Sequence, residues 1–203
     1  MTNNQIAVLI LAGGQSSRMG KDKALLLING KPFLQQVYEV ATSLTSQIYI
    51  LTPWRDRYQE NLTGDYKFLL ESSHGSGPLV ALSEGLAQIS AEWILLLACD
   101  LPLLKMDILQ DWIDRLNQVP DYILAVVPYQ NSRWEPFCGF YRKQALPELR
   151  NFIDKGGRSF QNWLREIDAI PLSLEERAST MLWNCNTPDE FEKLKYNEKF
   201  YES

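Results

Sequence analysis

Arg18, Lys21 and Lys23 place three cations within six positions of one another. They belong to the stretch Leu11-Ala12-Gly13-Gly14-Gln15-Ser16-Ser17-Arg18-Met19-Gly20-Lys21-Asp22-Lys23. Glycines let backbone N–H groups approach phosphate oxygens, and successive N–H groups form an anion-binding concavity. Cations beside such a concavity suit a polyphosphate. Two familiar phosphate loops are not matched. The Walker A pattern needs Gly, four residues, then Gly-Lys-Ser/Thr. Here five residues separate Gly14 from Gly20, and Lys21 is followed by Asp22. The Mg2+-binding hydroxyl is missing, which argues against a P-loop kinase or ATPase. Gly13-Gly14 followed by Gly20 does not fit the dinucleotide fingerprint either. Residue types alone leave open a solvated glycine loop with incidental lysines.

Cys99-Asp100-Leu101-Pro102 is the second candidate. A carboxylate beside a triphosphate is what Mg2+ needs, since it commonly takes one or two carboxylates plus phosphate oxygens. The alternative is a helix-capping Asp before Pro102. Gly75-Ser76-Gly77-Pro78-Leu79 leads into a helix whose N-terminus could meet an anion or a ribose. An ordinary connection explains it equally well. Asn184-Cys185-Asn186-Thr187-Pro188-Asp189 either lines a site or caps the last helix through Asn186 or Thr187.

The elements that must carry these residues follow from hydrophobic patterning. Ile6 to Ala12 is apolar on both faces and stops at Gly13-Gly14, as a buried strand of a helix-covered parallel sheet does. Trp93 to Ala98 is a second such run, ending at Cys99-Asp100. Ile48–Leu51 and Phe68–Leu70 are predicted strands, as is Tyr122–Val127. Leu25–Ile28 is a short apolar stretch before the Asn29-Gly30 turn signal. Pro32 suits a first helical position, with a helix to about Ser43. Leu79, Leu82, Leu86 and Ile89 fall at helical spacing, and Met106–Leu116 is a further helix. Beyond Tyr129 the spacing predicts a strand at Phe137–Tyr141 and helices at Gln144–Ile153 and Ser159–Glu166. A weak strand at Thr180–Trp183 and a helix at Pro188–Lys195 complete the pattern, with a polar end from Lys193 that can fray. The alternation of strand and helix predicts an α/β three-layer sandwich with a mostly parallel, Rossmann-like sheet. No repeat or long linker divides residues 1–203, so one domain is expected. In such sheets ligands bind outside the carboxyl ends of strands, where the glycine stretch and Asp100 both fall.

Composition narrows the function classes. A chain with 45% hydrophobic and 22% charged residues is globular. Its net charge of −5 argues against a broad nucleic-acid surface, whose footprint is normally basic. A local pocket can still oppose the global sign and hold an anion. Cysteines 99, 138 and 185 form no close pair, which suits reduced thiols and a cytoplasmic location. The single histidine, His74, has no Cys or His neighbour for a zinc site and is read as a loop residue. Ile6–Ala12 is too short for a membrane span and lacks the flanks of a signal peptide. Trp54, Trp112, Trp134, Trp163 and Trp183 could stack on a planar heterocycle, though most are expected to be anchors.

Taken in order, these motifs resemble the molybdenum cofactor guanylyltransferases, the MobA family. The resemblance rests on Leu11-Ala12-Gly13-Gly14-x-Ser16-x-Arg18-Met19-Gly20-x-Asp22-Lys23 and Gly30-Lys31-Pro32. It continues through Gly77-Pro78-Leu79, Cys99-Asp100-x-Pro102 and Asn184-x-Asn186-Thr187-Pro188. The resemblance implies a nucleotide-diphospho-sugar-transferase-like fold. It implies transfer of GMP from GTP to molybdenum-molybdopterin, with release of pyrophosphate and with Mg2+ as cofactor. Leu11, Ala12, Gly13 and Gly14 would contact the guanine nucleotide, with Gly77 and Pro78 also on the nucleotide side. Arg18 and Lys23 would hold phosphates, and Asp100 would meet both nucleotide and metal. Thr52 and Glu71 stand where the family has further GTP contacts, and Asn184 and Asn186 fall near the pterin side. Transient contact with cofactor-synthesis proteins or acceptor enzymes would follow from direct hand-over of a labile product.

The chain departs from the family at Glu71, where Asp is usual, at Val80-Ala81, and at Glu135-Pro136-Phe137. The rivals are a cytidylyl version of the same enzyme, a sugar-phosphate nucleotidyltransferase and an inactive nucleotide-binding module. Gly13, where cytidylyl relatives carry Ala, leaves room for a purine. Retention of Lys23 and Asp100 argues against inactivity.

Overall fold

The computed structural model of the chain describes residues 5–13, 22–69 and 75–196. At its centre β1 (Ile6–Leu11) lies in parallel register with a later strand, Trp93–Ala98, from Ile6 opposite Trp93 to Leu11 opposite Ala98. Both are flanked by other strands and covered on both faces, which is why neither shows the alternation of a half-exposed strand.

In chain order, a 3₁₀ turn (Lys23–Leu25) leads into the hairpin β2 (Leu27–Ile28) and β3 (Lys31–Pro32). Asn29 and Gly30 both take positive φ, 52° and 78°, as a two-residue hairpin turn requires. Then come α1 (Phe33–Thr42), β4 (Ile48–Leu51), α2 (Arg55–Gln59), β5 (Lys67–Leu69), α3 (Pro78–Gln88), β6 (Trp93–Ala98) and α4 (Met106–Arg115). The remainder is β7 (Ala125–Gln130), β8 (Arg133–Trp134), β9 (Cys138–Arg142), α5 (Leu146–Asp154), α6 (Phe160–Glu166), β10 (Ala169–Leu172), α7 (Glu176–Met181) and α8 (Pro188–Tyr196). The main sheet runs β10-β7-β9-β6-β1-β4-β5, with β8 hairpinned onto β7. Only β9 opposes its neighbours in that path, so the carboxyl ends of β1, β4, β5, β6 and β7 share one edge.

Alternate residues of β1 divide the core. Val8 and Ile10 pack with Leu34 and Val37 of α1 and with Leu109 and Trp112 of α4. Ala7 and Leu9 pack with Leu82 and Leu86 of α3, Leu149 of α5 and Trp163 of α6. Two helical layers on one sheet give the expected three-layer α/β sandwich. A smaller cluster, Ile28, Phe33, Leu103, Cys185 and Leu194, docks α8 against the β2–β3 hairpin. No helix among the described residues is long and apolar enough to cross a membrane.

Several expectations need correction. Thr180–Trp183 is not a strand: α7 runs through Glu176–Met181. Ala178, Met181 and Leu182 are buried at helical spacing, so burial of that stripe outweighs local β propensity. The strand expected at Tyr122–Val127 begins three residues later and runs to Gln130. Ile123 N–H instead closes a turn on the Pro120 carbonyl. β10 was not apparent in the sequence, because Pro171 and partial exposure disguise it; a proline fits at this edge position, where it needs no ladder donor. The short helix α2 also lacks a sequence signature.

Gly85 of α3 lies directly on β1. A Cβ there would stand 2.2 Å from Leu9 Cδ2, inside a fully buried contact. Gly85→Ala is expected to destabilise by roughly 1–3 kcal/mol through overpacking, lowering Tm by a few degrees. An unchanged melting curve would show that Leu9 has room to repack.

Candidate active site

Ladder bonds continue one residue past the central strands. Ala12 N–H donates to the Leu51 carbonyl at 3.1 Å, and Cys99 N–H to that of Leu11 at 3.2 Å. The chain therefore leaves β1, β4 and β6 side by side, carrying Gly13, Thr52 and Asp100 to one edge. Asp100 does not cap a helix, since α4 begins only at Met106.

Lys23 opens the 3₁₀ turn that Asp22 caps through a bond from Ala24 N–H to Oδ1, 3.1 Å. Its ammonium donates to Asp100 Oδ2 at 3.2 Å and to Asn186 Oδ1 at 2.6 Å. The Lys23 and Asp100 side chains are 14% and 18% exposed, so this pair is shielded far more than a surface ion pair. Asn186 can reach Lys23 because Thr187, not Asn186, caps α8. Thr187 Oγ1 accepts from Glu190 N–H at 3.2 Å, and the Glu190 carboxylate accepts from Asn186 N–H at 2.6 Å and Thr187 N–H at 2.9 Å. This reciprocal capping box fixes the chain on which Asn186 sits. Cys185 N–H donates to the Asp100 carbonyl at 3.2 Å, tying the same segment to the end of β6. Residues separated by 77 and 163 positions thus meet at one ammonium. Asn186, expected near a pterin, stands on Lys23. Neighbouring Asn184 has a buried Oδ1 with no hydrogen-bond partner among the described residues. A ligand donor would satisfy it.

Other expected residues are placed less directly. Leu11 is half-buried, Ala12 buried and Gly13 exposed. Thr52 is buried, and its hydroxyl accepts from Trp54 N–H at 3.1 Å. Gly77 has φ 90° and precedes Pro78 at the first position of α3. Gly14, Arg18, Lys21, Glu71 and His74 lie outside the described residues. Sequence reasoning missed Arg57 and Tyr58 of α2, both of which donate to Asp22. Of the tryptophans, Trp163 stacks on Tyr141 and Trp134 packs edge-on to Tyr129. Trp112 is buried in the core.

The three cysteines are free thiols. Burial, then the Asp100 and Asp22 charges, raises the Cys99 thiol above its ordinary range. Burial, with Glu190 next, pushes Cys185 up to about 12. Neither is a thiolate at neutral pH, so neither is set up as a nucleophile. Among the described residues no cluster of three His, Cys, Asp or Glu side chains could cage a metal ion. Asp100 offers a single carboxylate with one oxygen turned to Lys23. That donor set suits an ion that takes its remaining ligands from substrate phosphates and water, as Mg2+ does.

Comparison with known proteins shows the family. Residues 8–170 match the model of the MobA-like NTP transferase domain. A relative from Nostoc sp. named probable molybdenum cofactor guanylyltransferase is 47% identical over 187 residues, 92% of this chain and 89% of its own. Molybdopterin-guanine dinucleotide biosynthesis protein A from Archaeoglobus fulgidus shares the fold with a TM-score of 0.76. It is 19% identical, over 93% of this chain and 96% of its own. A cytidylyltransferase from Leptospira borgpetersenii shares it with a TM-score of 0.77 at 16% identity, over 98% of this chain and 88% of its own. With the match running from within β1 to within β10, the chain belongs to the MobA-like NTP transferase family.

Proposed function

We propose that this chain transfers GMP from GTP to the terminal phosphate of molybdenum-molybdopterin. The product is the guanine dinucleotide form of the cofactor, made in the cytoplasm by a single domain. The observation that carries the reading is the meeting of Lys23, Asp100 and Asn186 at the carboxyl edge of the sheet. The name of the Nostoc relative supports the choice of substrates.

In this reaction a phosphate oxygen of the pterin attacks the α-phosphorus of GTP. The bond from that phosphorus to the bridging oxygen breaks, and pyrophosphate leaves with that electron pair. The nucleophile is already an anion, so no general base is needed. The task left to the chain is to hold the two substrates in line and to meet growing charge with preorganised donors. Lys23 supplies a fixed cation beside the polyphosphate. By the resemblance to the family motif, Arg18 would supply a second, backbone N–H groups at Gly13 and Gly14 would meet phosphate, and Gly77, Pro78, Thr52 and Glu71 would contact the nucleotide. Asn184, with its unpaired buried carbonyl, offers an acceptor on the pterin side, and Asn186 keeps Lys23 in place. Mg2+ held by Asp100 and substrate phosphates would supply Lewis-acid polarisation and charge neutralisation.

The fold is shared with a cytidylyltransferase, so base choice must come from local groups. Gly13 is exposed just past β1, where a missing side chain leaves room for a purine. Polar groups that read guanine O6 and N2 would reject adenine by leaving themselves unpaired. Pyrophosphate release from GTP, ATP, CTP and UTP, with molybdopterin as acceptor, is the test. GTP is expected to be preferred, and Gly13→Ala to erode that preference while hardly changing CTP use. Turnover of CTP as fast as GTP by the parent chain would replace this reading with a cytidylyl one.

A further inference from the structure

Asp22 is the exit of the glycine-rich segment and the residue before Lys23. Its side chain is 15% exposed and carries three donors. Ala24 N–H meets Oδ1 at 3.1 Å, Arg57 Nη1 meets Oδ2 at 2.9 Å, and the Tyr58 hydroxyl lies 3.0 and 2.9 Å from the two oxygens. Tyr58 is fully buried, with its ring in the core beneath α1 and α4. Arg57 is half-exposed, and its guanidinium also lies 5.2 Å over the Trp54 ring. Trp54 is in turn held by the Thr52 hydroxyl at the end of β4. Desolvation, then Asp22, raises the Tyr58 phenol, so it keeps its proton and donates it.

This makes α2 a brace for Asp22. The first turn of that helix is anchored to β4, the strand beside β1. Its last residues grip the carboxylate adjoining the active-site lysine. Asp22 is held toward α2 while Lys23 reaches the other way, toward Asp100 and Asn186. Gly13 follows β1, and Asp22 is held by the helix that follows the neighbouring strand β4. Charge-assisted hydrogen bonds to a shielded carboxylate are strong enough to hold such an anchor.

We infer that Tyr58 and Arg57 are positioning residues for the transferase reaction: through Asp22 they hold Lys23 at the phosphate site. Neither touches substrate in this role. The inference rests on the reading of Lys23 as a phosphate-holding residue.

A double-mutant cycle tests it, using kcat/KM for GTP and calorimetric GTP binding on the full chain. Tyr58→Phe removes only the hydroxyl and leaves the ring packed, so Tm should change by no more than a few degrees. Its kcat/KM should fall about tenfold. Arg57→Gln, at a half-exposed position that cannot compromise the core, should fall by a smaller factor. In a Lys23→Ala background both changes should cost less than about twofold, because the group they position is gone. Full activity in Tyr58→Phe would overturn the inference. So would losses that multiply with that of Lys23→Ala, since α2 would then act on the nucleotide itself or on general stability. If Lys23→Ala alone turned over GTP normally, the phosphate reading of Lys23 would fall, and the positioning role with it.

Discussion

Asp100→Ala should yield a folded protein whose transferase activity is about 10³-fold or more below that of the parent. Two features of the site make this separation of folding from activity possible. The contact that joins Asp100 to the α8 segment is made by its backbone carbonyl, which accepts from Cys185 N–H. An alanine keeps that bond. The side chain, by contrast, faces Lys23 at the sheet edge and not the core. What is lost is the carboxylate proposed to hold a divalent ion against the triphosphate, an effect worth several kcal/mol in the transition state. Every 1.4 kcal/mol is a factor of ten in rate.

The isosteric change sharpens the test. Asp100→Asn preserves shape and can still accept from Lys23, but it offers no charge to a cation. It should be nearly as inactive as the alanine variant, and added Mg2+ should restore little. Wild-type turnover and wild-type Mg2+ dependence in either folded variant would remove Asp100 from the metal site.

The parts of this site that sequence reading reached are those governed by short-range rules. β1 and β6 are apolar on both faces, so both had to lie inside a covered parallel sheet. The ends of such strands are where ligands bind, which joined the glycine stretch to Asp100 without coordinates. The last contact was not legible in that way. Asn186 comes from 163 positions beyond Lys23, and no periodicity encodes that distance. Thr187-Pro188-Asp189-Glu190 announces a helix start, yet only the structure shows that Thr187 takes the cap and leaves Asn186 for the lysine. The α2 brace was hidden for a related reason. A five-residue helix has too few positions to display a hydrophobic period, and Tyr58 beside Arg57 resembles any polar surface turn. β10 and α7 show tertiary context overriding local preference. Pro171 weakens a strand that the sheet edge tolerates, and in the Thr-Met-Leu-Trp run Thr180 and Met181 are wound into helix and Leu182 closes it, because the buried stripe lies at 178, 181 and 182.

Lys23→Ala should be the second most damaging change, far ahead of Lys21→Ala, although the two lysines stand two positions apart in a segment whose total charge looks interchangeable. The setting of Lys23 separates them. Its side chain is 14% exposed and its ammonium is held by two oxygens, at 3.2 and 2.6 Å. Its removal takes away the cation that faces Asp100 and the donor that Asn186 Oδ1 accepts from, besides the proposed phosphate contact. A charge-assisted contact of this kind is worth about 1.5–3 kcal/mol, or roughly 10- to 150-fold in kcat/KM for GTP. The family motif leaves position 21 variable. Loss of Lys21 should cost less than about threefold and should be masked by salt, as a diffuse field is. Lys23→Arg separates charge from shape. A guanidinium is larger than an ammonium and directs its donors in a fixed plane, so in this shielded space arginine should recover only part of the loss. Steady-state kinetics of the three variants at low and at physiological ionic strength decide the matter. Equal and small effects at positions 21 and 23, both vanishing with salt, would mean that the segment acts only through its net charge.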